Sequence, residues 1–213
     1  MIKFKTKLRN FEIPTSWDDL KFTDYEKLVG ANDIEALSIL TGLNDIELKL
    51  IDIEGIVPYI QFLQEDVNLI EPIDYGIDVG QESYEKKIVA CSDIGNIKHV
   101  VTTYFKLCSP IESFNCFEIF TRYNHLLSQL KEIIERDNER LKFDPTVEQK
   151  QAGLDNFNEL GEFNTIDMIA EKYKYTHKEV EQLPYNLIFL ILLKQNIIRK
   201  FEDNYRKITS NDN

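Results

Sequence analysis

Apolar and polar residues alternate at the start of the chain, with Ile2, Phe4, Thr6 and Leu8 on one side and Lys3, Lys5, Lys7 and Arg9 on the other. A period of two predicts a half-buried β-strand or hairpin over residues 2–13 with a basic outer face. Pro14 and the PTSWDD segment end it. The period then changes to three and four. Thr23 with Glu26 predicts a capped short helix that stops near Gly30. Asn32 with Glu35 opens a second helix closed by Gly42, and Asn44 with Glu47 opens a third, DIELKLI. Residues 56–62 predict another helical piece, with Pro58 tolerated only in its first turn. Residues 68–80 carry Pro72 and two glycines and read as a loop or a short extended piece.

From Ser92 the pattern is strongly helical. Ile94, Ile97, Val101, Tyr104, Phe105 and Cys108 form one face before Ser109-Pro110 breaks it. Phe117, Phe120, Leu127, Leu130, Ile134 and Leu141 then predict a long helix over 113–142. Its charged far end, KEIIERDNERLK, is expected to project into solvent. Asp144-Pro145 reads as an N-cap and first helical position, opening a helix that ends at Gly161. Asn164 is expected to cap TIDMIAEKY, and Thr176 with Glu179 to cap HKEVEQL. Pro184 opens a last helix to about residue 208, before a polar tail. The fold class is therefore mainly α, a multi-helix bundle with a short N-terminal β-strand or hairpin. The expected organisation is a strand with short helices over 1–70, a connecting segment over 71–91, a long-helix lobe over 92–208 and a flexible tail over 209–213. The seam falls near 68–80, unless the whole forms one compact domain.

Composition narrows the function. The 213 residues are 43% hydrophobic and 29% charged, which suits a packed core and not a disordered chain. Net charge is −12, so binding to phosphate backbones is disfavoured and no nucleic-acid partner is expected. The charge is uneven: residues 32–82 hold twelve acidic side chains against Lys49 alone, while both ends of the chain are basic. A dipolar layout suits docking on a charged partner or head-to-tail assembly into a homo-oligomer. The longest apolar run, residues 187–193, is far short of the roughly 20 residues a membrane-spanning helix needs. No membrane partner is expected, and a cytoplasmic location is.

No pattern of catalytic chemistry stands out. Cys91, Cys108 and Cys116 form no CxxC pair, fit a reducing compartment and lie in segments that read as packed helix. His99, His125 and His177 lack metal-ligand spacing. Asp74, Asp78 and Glu85 occupy three places of a calcium loop, but Val79 stands where that loop needs glycine. Adjacent acids such as Asp18-Asp19 and Glu65-Asp66 do not face one point. There is no phosphate-binding glycine loop and no nucleophile elbow. The catalytic, cofactor and metal expectation is none. Trp17, the only tryptophan, is read as a plug between the strand and the helices. The last helix is the oddity. Leu187, Ile191, Ile198, Phe201, Tyr205 and Ile208 fall near one stripe interrupted by Lys194, and Tyr185, Ile188, Phe189 and Leu192 lie opposite. A helix apolar on two sides is either sandwiched in the core or offers one side to a partner. Tyr185, Ile188, Phe189 and Leu192 are the candidate partner-binding residues.

Two stretches carry a resemblance. FEIPTSWDDLKFTDYEKLVGANDIEALSILTGLNDIEL is similar to the opening of small proteins of tailed-phage structural modules, with its Pro-x-x-Trp turn and LSILTG-like phrase. AGLDNFNELGEFNTIDMIAEKYKYTHKEVEQLPYNLIFLILLK also resembles such proteins, which are grouped with tail or baseplate-hub assembly chaperones. The resemblance implies a non-enzymatic morphogenesis protein in the host cytoplasm. Such a protein keeps a helix-rich tape-measure or hub partner soluble until assembly. The alternatives are a structural virion subunit of the tail, neck or connector, and a small enzyme with an unrecognised site.

Overall fold

The computed structural model describes residues 1–5, 10–143, 145–153 and 159–211. It is mainly α, with a two-stranded antiparallel sheet at the N-terminus. Strand β1 (Ile2–Lys5) pairs with β2 (Asn10–Ile13) in the register Ile2↔Ile13 and Phe4↔Phe11. The predicted alternation is therefore a hairpin. Its positions Thr6, Lys7, Leu8 and Arg9 lie outside the described residues. The chain forms two units, one of residues 1–75 and 95–126 and the other of 76–94 and 127–213.

In the first unit, α1 (Phe22–Leu28), α2 (Asp33–Thr41) and α3 (Asp45–Leu48) follow the hairpin. Asn32 and Asn44 each accept two backbone N–H groups while Glu35 and Glu47 reach back, completing both expected capping boxes. Gly42 closes α2 at φ 65°, a left-handed conformation that glycine adopts without the Cβ penalty. Thr23 is not a cap. It sits inside the first turn of α1, and its hydroxyl donates to the carbonyl of Glu112 at 2.8 Å. Residues 56–62 form short 3-10 turns, with Pro58 at the start of the first.

Phe11 and Ile13 of β2 are buried with Leu37, Leu43, Leu48 and Ile56, so the apolar side of the hairpin closes onto α2 and α3. Trp17 is also buried. Its ring meets Phe62, Phe120 and Tyr25 edge-on at centroid distances of 5.0, 5.1 and 6.0 Å. Such edge-to-face contacts suit the aromatic quadrupole. Trp17 is thus a buried plug whose ring contacts join α1, a 3-10 turn and the helix that carries Phe120. Helix α5 (Ile97–Tyr104) begins at Asn96, whose side chain accepts the His99 N–H. The face expected to run on through Phe105 and Cys108 stops at Tyr104, and Cys108 is exposed.

Helix α6 (Cys116–Arg140) starts three residues later than 113–142 predicts. Asn115 accepts the Glu118 N–H at 2.8 Å and Glu118 takes the Asn115 N–H at 3.3 Å, which sets the start. Backbone bonds from Cys116 to Leu20 and from Phe22 to Phe114 fasten that start to the Trp17 turn. In the same unit, buried Asn124 donates to the carbonyls of Val67 and Ile70, holding the 3-10 turn over Val67–Leu69.

The second unit takes α6 from Leu127 onward, with α4 (Tyr84–Ser92), α7 (Val147–Gln151), α8 (Glu162–Tyr173), α9 (His177–Gln182) and α10 (Tyr185–Asn211). Helix α4 has no counterpart in the sequence reading. Thr146 and Gln149 bond reciprocally at the start of α7, so the helix opens there, while the Asp144 cap expectation falls outside the described residues. Gly161, expected to end a helix, begins α8 at φ 49°. Asn164 therefore lies within α8 and is no cap. Thr176 and Glu179 form the predicted capping box of α9.

Candidate partner-binding site

Helix α10 is built from two apolar faces, and the structure assigns them opposite fates. Tyr185, Ile188 and Phe189 are 2%, 0% and 5% exposed. Leu192 is half-buried and lines a hollow of about 400 Å³ with Leu141, Phe143, Met168, Asn196 and Arg199. Of these candidate partner-binding residues, Tyr185, Ile188 and Phe189 are covered by their own chain, whereas Leu192 is only half covered. The reason lies in charged side chains that the sequence reading sent into solvent. The far end of α6 packs along α10: the Arg136 guanidinium lies 3.8 Å from the Phe189 ring centroid, and the Arg140 carbonyl accepts the Asn196 amide at 2.9 Å. Arginine stems and planar heads cover aromatic surface while keeping their charge hydrated.

Around Tyr185 a polar cluster closes the inner face. Its hydroxyl donates to Asp137, the Tyr84 hydroxyl donates to Glu162, and the two rings stack at 5.8 Å. Lys87 bridges the pair, 3.1 Å from Glu162 and 5.0 Å above the Tyr185 ring. Burial, reinforced by the accepting carboxylates, pushes both phenols well above the ordinary tyrosine range. These tyrosines stay protonated as donors, so they are poor general bases. Three backbone bonds, from Tyr84 to Leu183, Tyr185 to Glu82 and Asn186 to Gly80, lock the loop before α4 against the start of α10.

A small polar notch of about 220 Å³ adjoins this cluster, and its groups are bonded to one another. Gln129 spans the backbone of Val79 and Ile77, Asp78 accepts the Gly80 N–H, and Arg136 donates to Asn186 at 3.1 Å. The cysteines give no activated nucleophile among those with a shifted thiol. Burial raises Cys91, with Lys87 only partly opposing it, and raises Cys116 to about 12, whereas nucleophilic cysteines have lowered values. His177 pairs with Asp167 at 3.0 Å on the surface, and buried His125 lies edge-on to Tyr75 at 6.0 Å. Among the described residues no group of three side chains is arranged to hold a metal ion. Asp19 and Asp66 serve locally, the first taking the N-terminal ammonium and Thr15, the second capping a 3-10 turn.

The outer face of α10 is what remains open. Leu187, Leu190, Ile197, Phe201, Tyr205 and Ile208 are all exposed, as is Ile198 between them. Phe201, Tyr205 and Ile208 each keep more than half of their surface in water, although α10 continues past them to residue 211. Scattered apolar residues on a surface are ordinary; these recur along one helix, with Lys194 among them. Burying a side chain of this size is worth about 1.5–3 kcal/mol. Several together are enough to offset the roughly 4–15 kcal/mol that association costs. Among the described residues no helix is long and apolar enough to cross a membrane. No protein-family model, no curated protein and no solved structure matches the chain.

Proposed function

We propose that this is a non-enzymatic assembly chaperone for a phage tail or baseplate. In this reading it acts in the host cytoplasm and binds a helix-rich partner of tape-measure or hub type, keeping it soluble until assembly. The observation that carries the reading is the exposed apolar run along the outer face of α10. A protein that holds another's helices needs such a surface, on an element rigid enough to present it. The resemblance of residues 11–48 and 152–194 to small proteins of phage structural modules supports the same reading. The polar clusters fit it too, since their hydroxyls and carboxylates are engaged with one another.

Co-expression with a phage tail protein of tape-measure or hub type tests the proposal. The tail protein is expected to move from the pellet into the soluble fraction and to co-purify with this chain. A tail protein that stays insoluble overturns the reading. Mass spectrometry of purified virions supplies the second arm: a chaperone is absent, and stoichiometric presence makes the chain a structural subunit instead.

A further inference from the structure

The exposed face of α10 has a stricter order than an apolar patch requires. Leu187, Lys194, Phe201 and Ile208, all exposed, recur every seven residues, and exposed Ile198 and Tyr205, preceded by half-buried Ile191, form the adjoining row, also seven apart. Together the rows make the alternating three- and four-residue spacing of a coiled-coil seam. The seam spans three heptads, about 32 Å of helix at 1.5 Å per residue. On a straight helix such a row drifts by about 20° per heptad, so a partner follows it only by winding left-handed around α10.

One position in the seam is charged. Lys194 is exposed and sits at the centre of the row between Leu187 and Phe201. A single charged residue within a seam lowers stability and specifies which partner is accepted. Around it the helix is basic: residues 194–211 hold Lys194, Arg199, Lys200, Arg206 and Lys207 against Glu202 and Asp203. A second copy of this chain is disfavoured on that count. A parallel pair sets Lys194 against Lys194, and either orientation brings two net-positive helices together. A carboxylate opposite Lys194 removes the cost.

We propose that the outer face of α10 forms a left-handed coiled coil with an acidic amphipathic helix of another protein, whose own seam places a carboxylate opposite Lys194. This rests on the reading of α10 as the partner-binding element, and it is independent of which protein supplies the helix.

The test uses the full chain and two synthetic peptides of about 24 residues, long enough for three heptads. Both carry leucine at the seam positions. One has glutamate at the place facing Lys194 and on the flanks, and its twin has lysine there. Fluorescence anisotropy of the labelled peptides, at ~150 mM salt to screen remote charge, reads affinity. The glutamate peptide is expected to bind about tenfold or more tightly than its twin. Lys194→Glu is expected to invert that preference, and Phe201→Asp to abolish binding without changing the circular-dichroism melt. Equal affinities, no binding of either peptide, or a preference unmoved by Lys194→Glu overturns the proposal. So does a concentration-dependent dimer of the chain that Phe201→Asp dissociates, or binding to phosphatidylserine vesicles in place of the glutamate peptide. The outcomes separate from those of the chaperone test: peptide binding with an insoluble tail protein sinks only the function, and rescue indifferent to Phe201→Asp sinks only the seam.

Discussion

The rings of Phe201 and Tyr205 stack one turn apart on α10, with centroids 6.2 Å apart and planes 21° from parallel, while both face water. Stacking a phenyl on a phenol along an exposed helix makes a small flat apolar plate that contributes little to the fold. Replacing either ring with alanine is expected to change unfolding free energy by less than about 0.5 kcal/mol, the usual range for surface positions. The same changes are expected to weaken capture of the co-expressed tail protein by about tenfold each, since aromatic anchors dominate interfaces. Urea unfolding and co-purification, run side by side, check both halves. A large loss of stability without a loss of capture places the rings in the fold instead.

Tyr185 makes the opposite case on the same helix. Its hydroxyl is buried against Asp137, and its ring lies between Lys87 and Arg136 at 5.0 and 5.7 Å. Tyr185→Phe keeps the ring and removes one donor from Asp137, which remains paired with Arg136 at 3.2 Å, and is expected to cost about 0.5–1.5 kcal/mol. Tyr185→Ala also opens a cavity and is expected to cost about 3–5 kcal/mol. Denaturant unfolding of the full chain measures both.

These two faces show where sequence reading stops. The capping boxes at Asn32, Asn44 and Thr176 were legible because donor and acceptor lie three residues apart. Helix α4 was not, because Ser83 makes no side-chain cap and Tyr84 is anchored by the carbonyl of Leu183, far along the chain. Asn164 misled for the converse reason: a capping residue type within a helix looks the same in sequence as one at its start. On α10 both faces are apolar, so periodicity found the stripes but could not rank them. The ranking is set by Arg136 and Arg140, residues that read as solvent-facing and in fact roof Phe189.

Alkaline pH is expected to destabilise the protein. Burial holds the Cys116 thiol at about 12, and the phenols of Tyr84 and Tyr185 are raised further by burial and their carboxylate partners. Above the unfolded thiol and phenol values, near 8.5 and 10, the unfolded chain has released protons that the folded chain still holds. Stability then falls as pH rises, and is unaffected by these groups below about 8. Urea midpoints between pH 7 and 11 are expected to decline. Cys116→Ala should remove the part of the slope that begins nearest pH 9, and an unchanged slope would show that the thiol is not buried.

Thiol reactivity gives a direct view of the same burial. Cys108 is exposed, Cys91 is partly covered and Cys116 is fully buried. A disulfide reagent at pH 8 is expected to modify Cys108 first, Cys91 more slowly, and Cys116 only after unfolding by urea, because the thiolate needs both access and charge. Mass spectrometry of timed samples orders the three. Early labelling of Cys116 would contradict the packing of α6 against the Trp17 turn.

Gly80 is the most tightly enclosed of the described glycines. A Cβ there would come within 2.7 Å of Asn186 Oδ1 and 2.8 Å of its Cγ, and against Nδ2 as well. Asn186 has little room to yield. Its backbone N–H donates to the Gly80 carbonyl at 2.8 Å, and its side-chain oxygen accepts from Arg136, whose guanidinium covers Phe189. Gly80→Ala is therefore expected to cost about 1–3 kcal/mol through overpacking. Pairing it with Asn186→Ala makes the space and is expected to recover part of that loss, although the single Asn186→Ala destabilises by removing the Arg136 bond. The coupling in such a double-mutant cycle, measured by denaturant unfolding, is positive if the loop before α4 and the start of α10 share one packed contact. Additive costs would mean that the alanine methyl finds room elsewhere and that Gly80 answers to the backbone alone.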